Sequence, residues 1–144
     1  MKRLLLVFAL VAATVPLAGQ ARLYQQSAQW KIRLTVVEAV TATKATAVTD
    51  DGAVLTNTGD TDGATITLMN DPVAGLTHVA VVTAAQTLTI APSTGETLYL
   101  NGAACGVSIT ANTVGSTLVV RAAVGGAGGM WVAMGSSTNW TCNS

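Results

Sequence analysis

The sequence is short of the side chains that most chemistry needs. It has one histidine and two cysteines in 144 residues, and only 10% of it is charged, against about a quarter in an ordinary soluble chain. His78 has no serine or cysteine that the sequence places beside it, so no nucleophile–base pair can be assembled. A lone histidine in a strand reads as structural. Two isolated cysteines and one distant histidine do not make a zinc site. Basic charge is scarce where it would matter: six of the seven Lys and Arg residues fall at or before Lys44, and beyond it only Arg121 is basic. With Asp50, Asp51, Asp60, Asp62, Asp71 and Glu96 around it, Arg121 cannot form a stripe that neutralises phosphates, so nucleic acid is not an expected partner. Aromatics make up 4% of the chain, too few for the stacking platforms of a sugar-cleaving cleft. The expectation is a protein that is not an enzyme and holds no metal or cofactor.

What is abundant is thin aliphatic surface. Half of the residues are hydrophobic, enough to offset the entropy of ordering and to exclude a disordered chain. Ala and Thr are the commonest of all, and such side chains bury little area each, at about 25 cal/mol per Å². A core so built has reason to recruit burial from neighbouring copies. A homo-oligomer is therefore expected, with a trimer as one closed form.

The first 21 residues follow the secretory pattern: Lys2 and Arg3, an apolar run from Leu4 to Val15, Pro16, then small residues at Gly19 and Ala21. The run is shorter than the ~20 residues that span a bilayer, so no stable membrane span is expected. A buried N-terminal helix is the alternative reading. The expected organisation is a signal-like segment 1–21, an N-terminal extension 22–44 and a β-rich domain 45–144, with an extracellular or virion-surface location. Cys105 and Cys142 fit that compartment as one disulfide; two buried free thiols are the other reading.

From Ala53 onward, short β-branched runs alternate with turn clusters. The runs are 53–57, 64–69, 77–83, 87–91, 97–100, 107–110, 117–123 and 130–134. Between them stand Gly59–Gly63, Asn70-Asp71-Pro72, Pro92–Gly95, Asn101-Gly102 and Gly125–Gly129. Strands at nearly ten-residue spacing predict an all-β fold, read as a single antiparallel sandwich or jelly-roll-like domain of about 8–10 short strands. A β-solenoid is the alternative, because a Thr-aliphatic-x-aliphatic unit recurs at 87, 97 and 117. Residues 33–40 read as either a first strand or a short helix.

Three local patterns invite a chemical reading. Asp60-Thr61-Asp62-Gly63 opens like a Ca²⁺ loop, but no further carboxylate follows at the required positions, and a strand-connecting turn explains it better. Gly125–Gly129 lacks the Lys-Ser/Thr of a phosphate loop and precedes a strand; it reads as a hairpin connection or a close backbone approach. Trp131 and Trp140 are the informative aromatics: either they close the bottom of the core, or they face a ligand such as a glycan.

The order of these pieces resembles a known module. Asp51–Asn57, then Gly63–Leu68, Ala74-Gly75-Leu76 leading into Val79–Thr83, Ala85–Ile90, and a closing Trp131 with Gly135 and Trp140 are similar to a β-rich module of bacteriophage virion proteins of the tail-fibre, spike or head-decoration type. The resemblance covers about two-thirds of the chain and carries no functional residue over. It implies an oligomeric structural or attachment role, with other virion or cell-surface proteins, and surface glycans, as partners.

Overall fold

The computed structural model describes residues 36–135 and 139–144. The signal-like segment 1–21 and residues 22–35 of the expected extension lie outside the described residues. Twelve strands follow in order: β1 (Val37–Ala39), β2 (Thr43–Ala45), β3 (Val54–Thr56), β4 (Ala64–Thr67), β5 (Thr77–Val81), β6 (Leu88–Ala91), β7 (Thr97–Leu100), β8 (Ala103–Cys105), β9 (Ser108–Ala111), β10 (Thr117–Val124), β11 (Met130–Gly135) and β12 (Thr141–Asn143). A single 3₁₀ turn, Val48–Asp50, is the one helical element among the described residues. The all-β expectation holds, and every one of the eight runs read from the sequence overlaps a strand. β1 and β2 begin inside the segment read as an extension, because Val37 and Thr43 pair with Val54 and Thr65 of the domain itself.

The strands form two sheets, ordered β1-β3-β5-β10-β11-β7-β8 and β12-β9-β6-β4-β2, and neither closes into a barrel. Their pairing is mixed, which corrects the expectation of an antiparallel domain. Five of the ten pairs are parallel: β1·β3, β3·β5, β2·β4, β4·β6 and β7·β11. The cause is how the chain travels. Through β1–β6 it changes sheet at every connection, so each return to a sheet runs in the same direction as the last visit. One full turn takes roughly 17 to 25 residues, as the partners Val37–Val54 and Val54–Val79 show. From β7 onward reversals take over: β9 lies antiparallel on β6, and β10 antiparallel between β5 and β11.

Alternation along each strand fills a core that both sheets line. The rows Leu55–Ala80–Leu118 from the larger sheet and Ile66–Ile90–Ile109 from the smaller are buried, and Trp131 is fully enclosed. Each fully buried Leu or Ile contributes about 1.5–3 kcal/mol of transfer free energy, whereas the interspersed Ala residues contribute little.

The inward rows end differently at the two sides. At the β1/β2 side the inward positions are Glu38, beside Leu55, and Lys44, beside Ile66. Lys44 Nζ pairs with Glu38 at 3.0 Å and with Asp50 at 3.3 Å, which joins the first strands of the two sheets. At the opposite side the edge strands β8 and β12 are joined covalently. Cys105, beside Leu98, is bonded to Cys142, beside Ile109, so the predicted disulfide is present.

Candidate functional site

The residues that could have carried chemistry are held in structural roles. His78 is an inward position of β5 and is buried. Its Nδ1–H donates to the Asp50 carbonyl at 3.0 Å, and its ring stacks on Trp131 with centroids 5.8 Å apart. Burial pushes its pKa below the ordinary value of 6.5. Both cysteines are in the disulfide, so no thiol stands beside it. The Asp60–Gly63 segment is a turn: Asp60 Oδ1 accepts the Asp62 and Gly63 N–H groups at 3.1 and 3.0 Å, while Asp62 points outward. No group of three metal-ligating side chains is found among the described residues.

The glycine run is a close backbone approach. A Cβ on Gly125 would meet the Pro72 carbonyl oxygen at 2.6 Å, and one on Gly129 would strike Pro72 and the Glu96 carboxylate. The turn before β11 thus lies against the loop before β5. Trp131 and Trp140 are not ligand-facing. They are 0% and 3% exposed, and the Trp140 indole N–H donates to the Thr117 carbonyl at 3.1 Å. They are the two largest rings in a core otherwise built from aliphatic side chains, and each buries a large apolar area there.

With these accounted for, the distinctive chemistry lies on the outer faces of the two sheets. On the seven-stranded sheet, Val37, Val54, Val79, Val119 and Met134 stand in one register row across β1, β3, β5, β10 and β11. None of the five is buried, and Val37 and Met134 are 74% and 59% exposed. Arg121 lies one row away, between Thr77 and Val132, and makes no ion pair among the described residues. It edges a shallow, open hollow of about 490 Å³ between the Ala74-Gly75 turn and strands β10 and β11.

The five-stranded sheet presents the opposite chemistry. Its central outward row is Thr43, Thr65, Thr89, Thr110 and Thr141, one threonine from each strand in continuous register. Neighbouring strands are about 4.8 Å apart, so the hydroxyls form a ladder of that repeat. Asn143 Nδ2 donates to the Thr110 hydroxyl at 3.2 Å and to Ser108 at 3.0 Å, while the other four hydroxyls of the ladder make no bond within the described residues.

Asn57 is a residue that reading the sequence missed. It is fully buried at the end of β3, where its Nδ2 donates to the Ala84 and Gln86 carbonyls and its Oδ1 accepts the Thr83 and Ala84 N–H groups. It pins the β5–β6 crossing to the preceding turn of chain. Its only signal in the sequence was an Asn closing a strand, which also describes an ordinary turn.

Neither a family model nor a curated protein matches this sequence.

Proposed function

We propose that the chain is a non-enzymatic structural and attachment module, of the virion type or of an exported cell-surface protein, working as a homo-oligomer. The observation that carries this reading is the two-faced slab: a valine row on one outer face and a threonine ladder on the other. An apolar face of this kind suits burial against another subunit, and a hydroxyl face suits exposure to solvent or to a surface. The disulfide between edge strands is consistent with an oxidising compartment. No helix among the described residues is long and apolar enough to cross a membrane.

The test is the mass of the full chain in solution by light scattering. A discrete multimer is expected; a monomer at high micromolar concentration would sink the assembly half of the reading. A second reading, a small exported carbohydrate-binding protein, draws support from the uncharged hydroxyls of the ladder, four of which have no hydrogen-bond partner among the described residues. It moves the glycan contact from Trp131 and Trp140 to Thr65 and Thr89. Retention of the protein on a neutral insoluble polysaccharide, lost in a Thr65→Lys/Thr89→Lys variant, is its expected signature.

A further inference from the structure

Resting on the carbohydrate reading above, we infer that the threonine ladder is a row of subsites for one extended chain of a neutral β-1,4-linked polysaccharide. The chain lies across the strands, with one sugar to each rung. Three observations lead to this arrangement.

The first is register. Thr43, Thr65, Thr89, Thr110 and Thr141 are paired directly from strand to strand, so one hydroxyl recurs at every strand of the five-stranded sheet. Hydrogen bonding between strands sets the repeat at about 4.8 Å, and four intervals span roughly 19 Å. A β-1,4-linked pyranose chain is extended and advances by close to one strand spacing per sugar. Five sugars therefore cover the row, one to each strand. Successive sugars are turned over, but both edges of each ring bear hydroxyls, so every rung meets one. Adjacent strands twist by about 20–25°, and the glycosidic torsions of a single chain let it follow that coil. An α-1,4-linked chain curls, advances less per sugar and falls out of register.

The second is unused bonding capacity. None of the five threonines is buried, and the hydroxyls of Thr43, Thr65, Thr89 and Thr141 have no partner among the described residues. The Thr110 hydroxyl accepts from Asn143 Nδ2 at 3.2 Å and keeps its own proton to donate. A threonine hydroxyl both donates and accepts, as a sugar hydroxyl does, so each rung pairs in either sense.

The third is charge. The outward residues beside the row, Ala45, Thr67, Ala91 and Asn143, are as uncharged as the row itself. Lys44 turns inward and is held by Glu38 and Asp50. A face without charge is complemented by a partner without charge, which sets acidic glycans aside. No aromatic side chain lies on the row, so no sugar ring stacks there. Affinity then accumulates from one modest hydrogen bond per rung, and chain length is what the ladder measures.

The experiment titrates the full chain with cello-oligosaccharides of two to six sugars, followed by NMR shifts, with maltooligosaccharides of the same lengths alongside. Affinity for the first series is expected to rise about threefold with each sugar up to five and then level off. The second series should show no such rise. Thr43→Val removes the end hydroxyl and keeps the branched shape a strand favours, so the levelling point should move from five sugars to four. Thr89→Lys puts a charge on the middle rung and leaves no more than two adjacent rungs on either side, so the rise with length should disappear. Unaltered thermal unfolding confirms that each variant is folded. Equal binding of the two series, a levelling point that stays at five in Thr43→Val, or a rise that survives Thr89→Lys overturns the ladder and leaves the carbohydrate reading standing. A change of solution mass in Thr89→Lys places a second copy on this face and also overturns the ladder. No binding of any oligosaccharide overturns it too. If the insoluble polysaccharide then fails to retain the protein, the carbohydrate reading falls with it.

Discussion

The two ends of the slab close the same core by different means. Along the inward side of the smaller sheet a single row runs Lys44, Ile66, Ile90, Ile109, Cys142. Its three middle members are ordinary core residues, and its two ends are the residues that reach across to the other sheet. Lys44 does so by an ion pair and Cys142 by a covalent bond. The ion-paired end leaves water access to both partners, with side-chain exposures of 19% and 39%. The edge strands are three residues long at both ends, and only at the disulfide end is their pairing backed by a covalent link. The difference shows what each device is for. A charge turned inward on an edge strand discourages further strands from adding there, while a cross-link ties the last strands of the two sheets to each other.

The largest effect is expected from breaking the covalent end. Replacing both Cys105 and Cys142 with Ser reopens a 37-residue separation and should cost about 3–4 kcal/mol in the chain-entropy treatment, read from the urea midpoint. A loss below about 1 kcal/mol would mean that β8 and β12 hold themselves in place.

A smaller effect is expected from acid, and at the other end only. His78 donates to the carbonyl of Asp50, whose carboxylate pairs with Lys44. Burial holds the folded His78 pKa below 6.5, so the unfolded chain takes up the proton first as pH falls. The stability contributed by neutral His78 is complete above pH 6.5 and is lost as pH drops below that value toward the folded pKa. Unfolding midpoints measured between pH 7.5 and 5.5 should therefore decline, and His78→Gln should flatten the decline. A slope unchanged by that substitution would place the titrating group elsewhere.

The smallest effect is expected from the ion pair itself. Its hydrogen bond to Glu38, with Asp50 nearby, raises the Lys44 pKa above 10.5, so the lysine is charged at neutral pH. Lys44→Met should change stability by less than about 1 kcal/mol, because a partly exposed pair returns little beyond its desolvation cost. What it should change is behaviour at the edge: light scattering on prolonged incubation should rise in the variant and not in the wild type. An unfolding loss comparable to that of the cysteine variant would erase the contrast between the two ends.

Much of this architecture was legible in the order of residues, and the misses have definite causes. The strands that announce themselves have β-branched runs between turn clusters, as at Ala64–Thr67 and Thr97–Leu100. β2, β8 and β12 did not, because three residues such as Thr43–Ala45 have no pattern of their own and are strands only through their neighbours. Parallel pairing was invisible for a different reason. It depends on the chain crossing between sheets, and a connection such as residues 68–76 reads the same whether it crosses or turns back. Within a single strand the alternation of threonine with aliphatic residues is legible, as at Thr65 and Thr67 or at Thr87 and Thr89. That Thr43, Thr110 and Thr141 complete the ladder is a matter of register, which no local window contains. The burial of Trp131 and Trp140 could be framed as one of two outcomes but not decided, since a ring of that size suits a core and a surface equally well until its neighbours are known.

The winding of β1–β6 has a consequence for how the molecule could grow. Each turn there lays one strand on each sheet and leaves the next turn a ready template, with Val54 set against Val37 and Val79 set against Val54 in the same manner. Length in this half is thus a countable quantity. Duplicating one turn would widen each sheet by about 4.8 Å and extend the valine row and the threonine ladder by one rung each. The two closures, at Lys44 and at Cys142, would only move further apart.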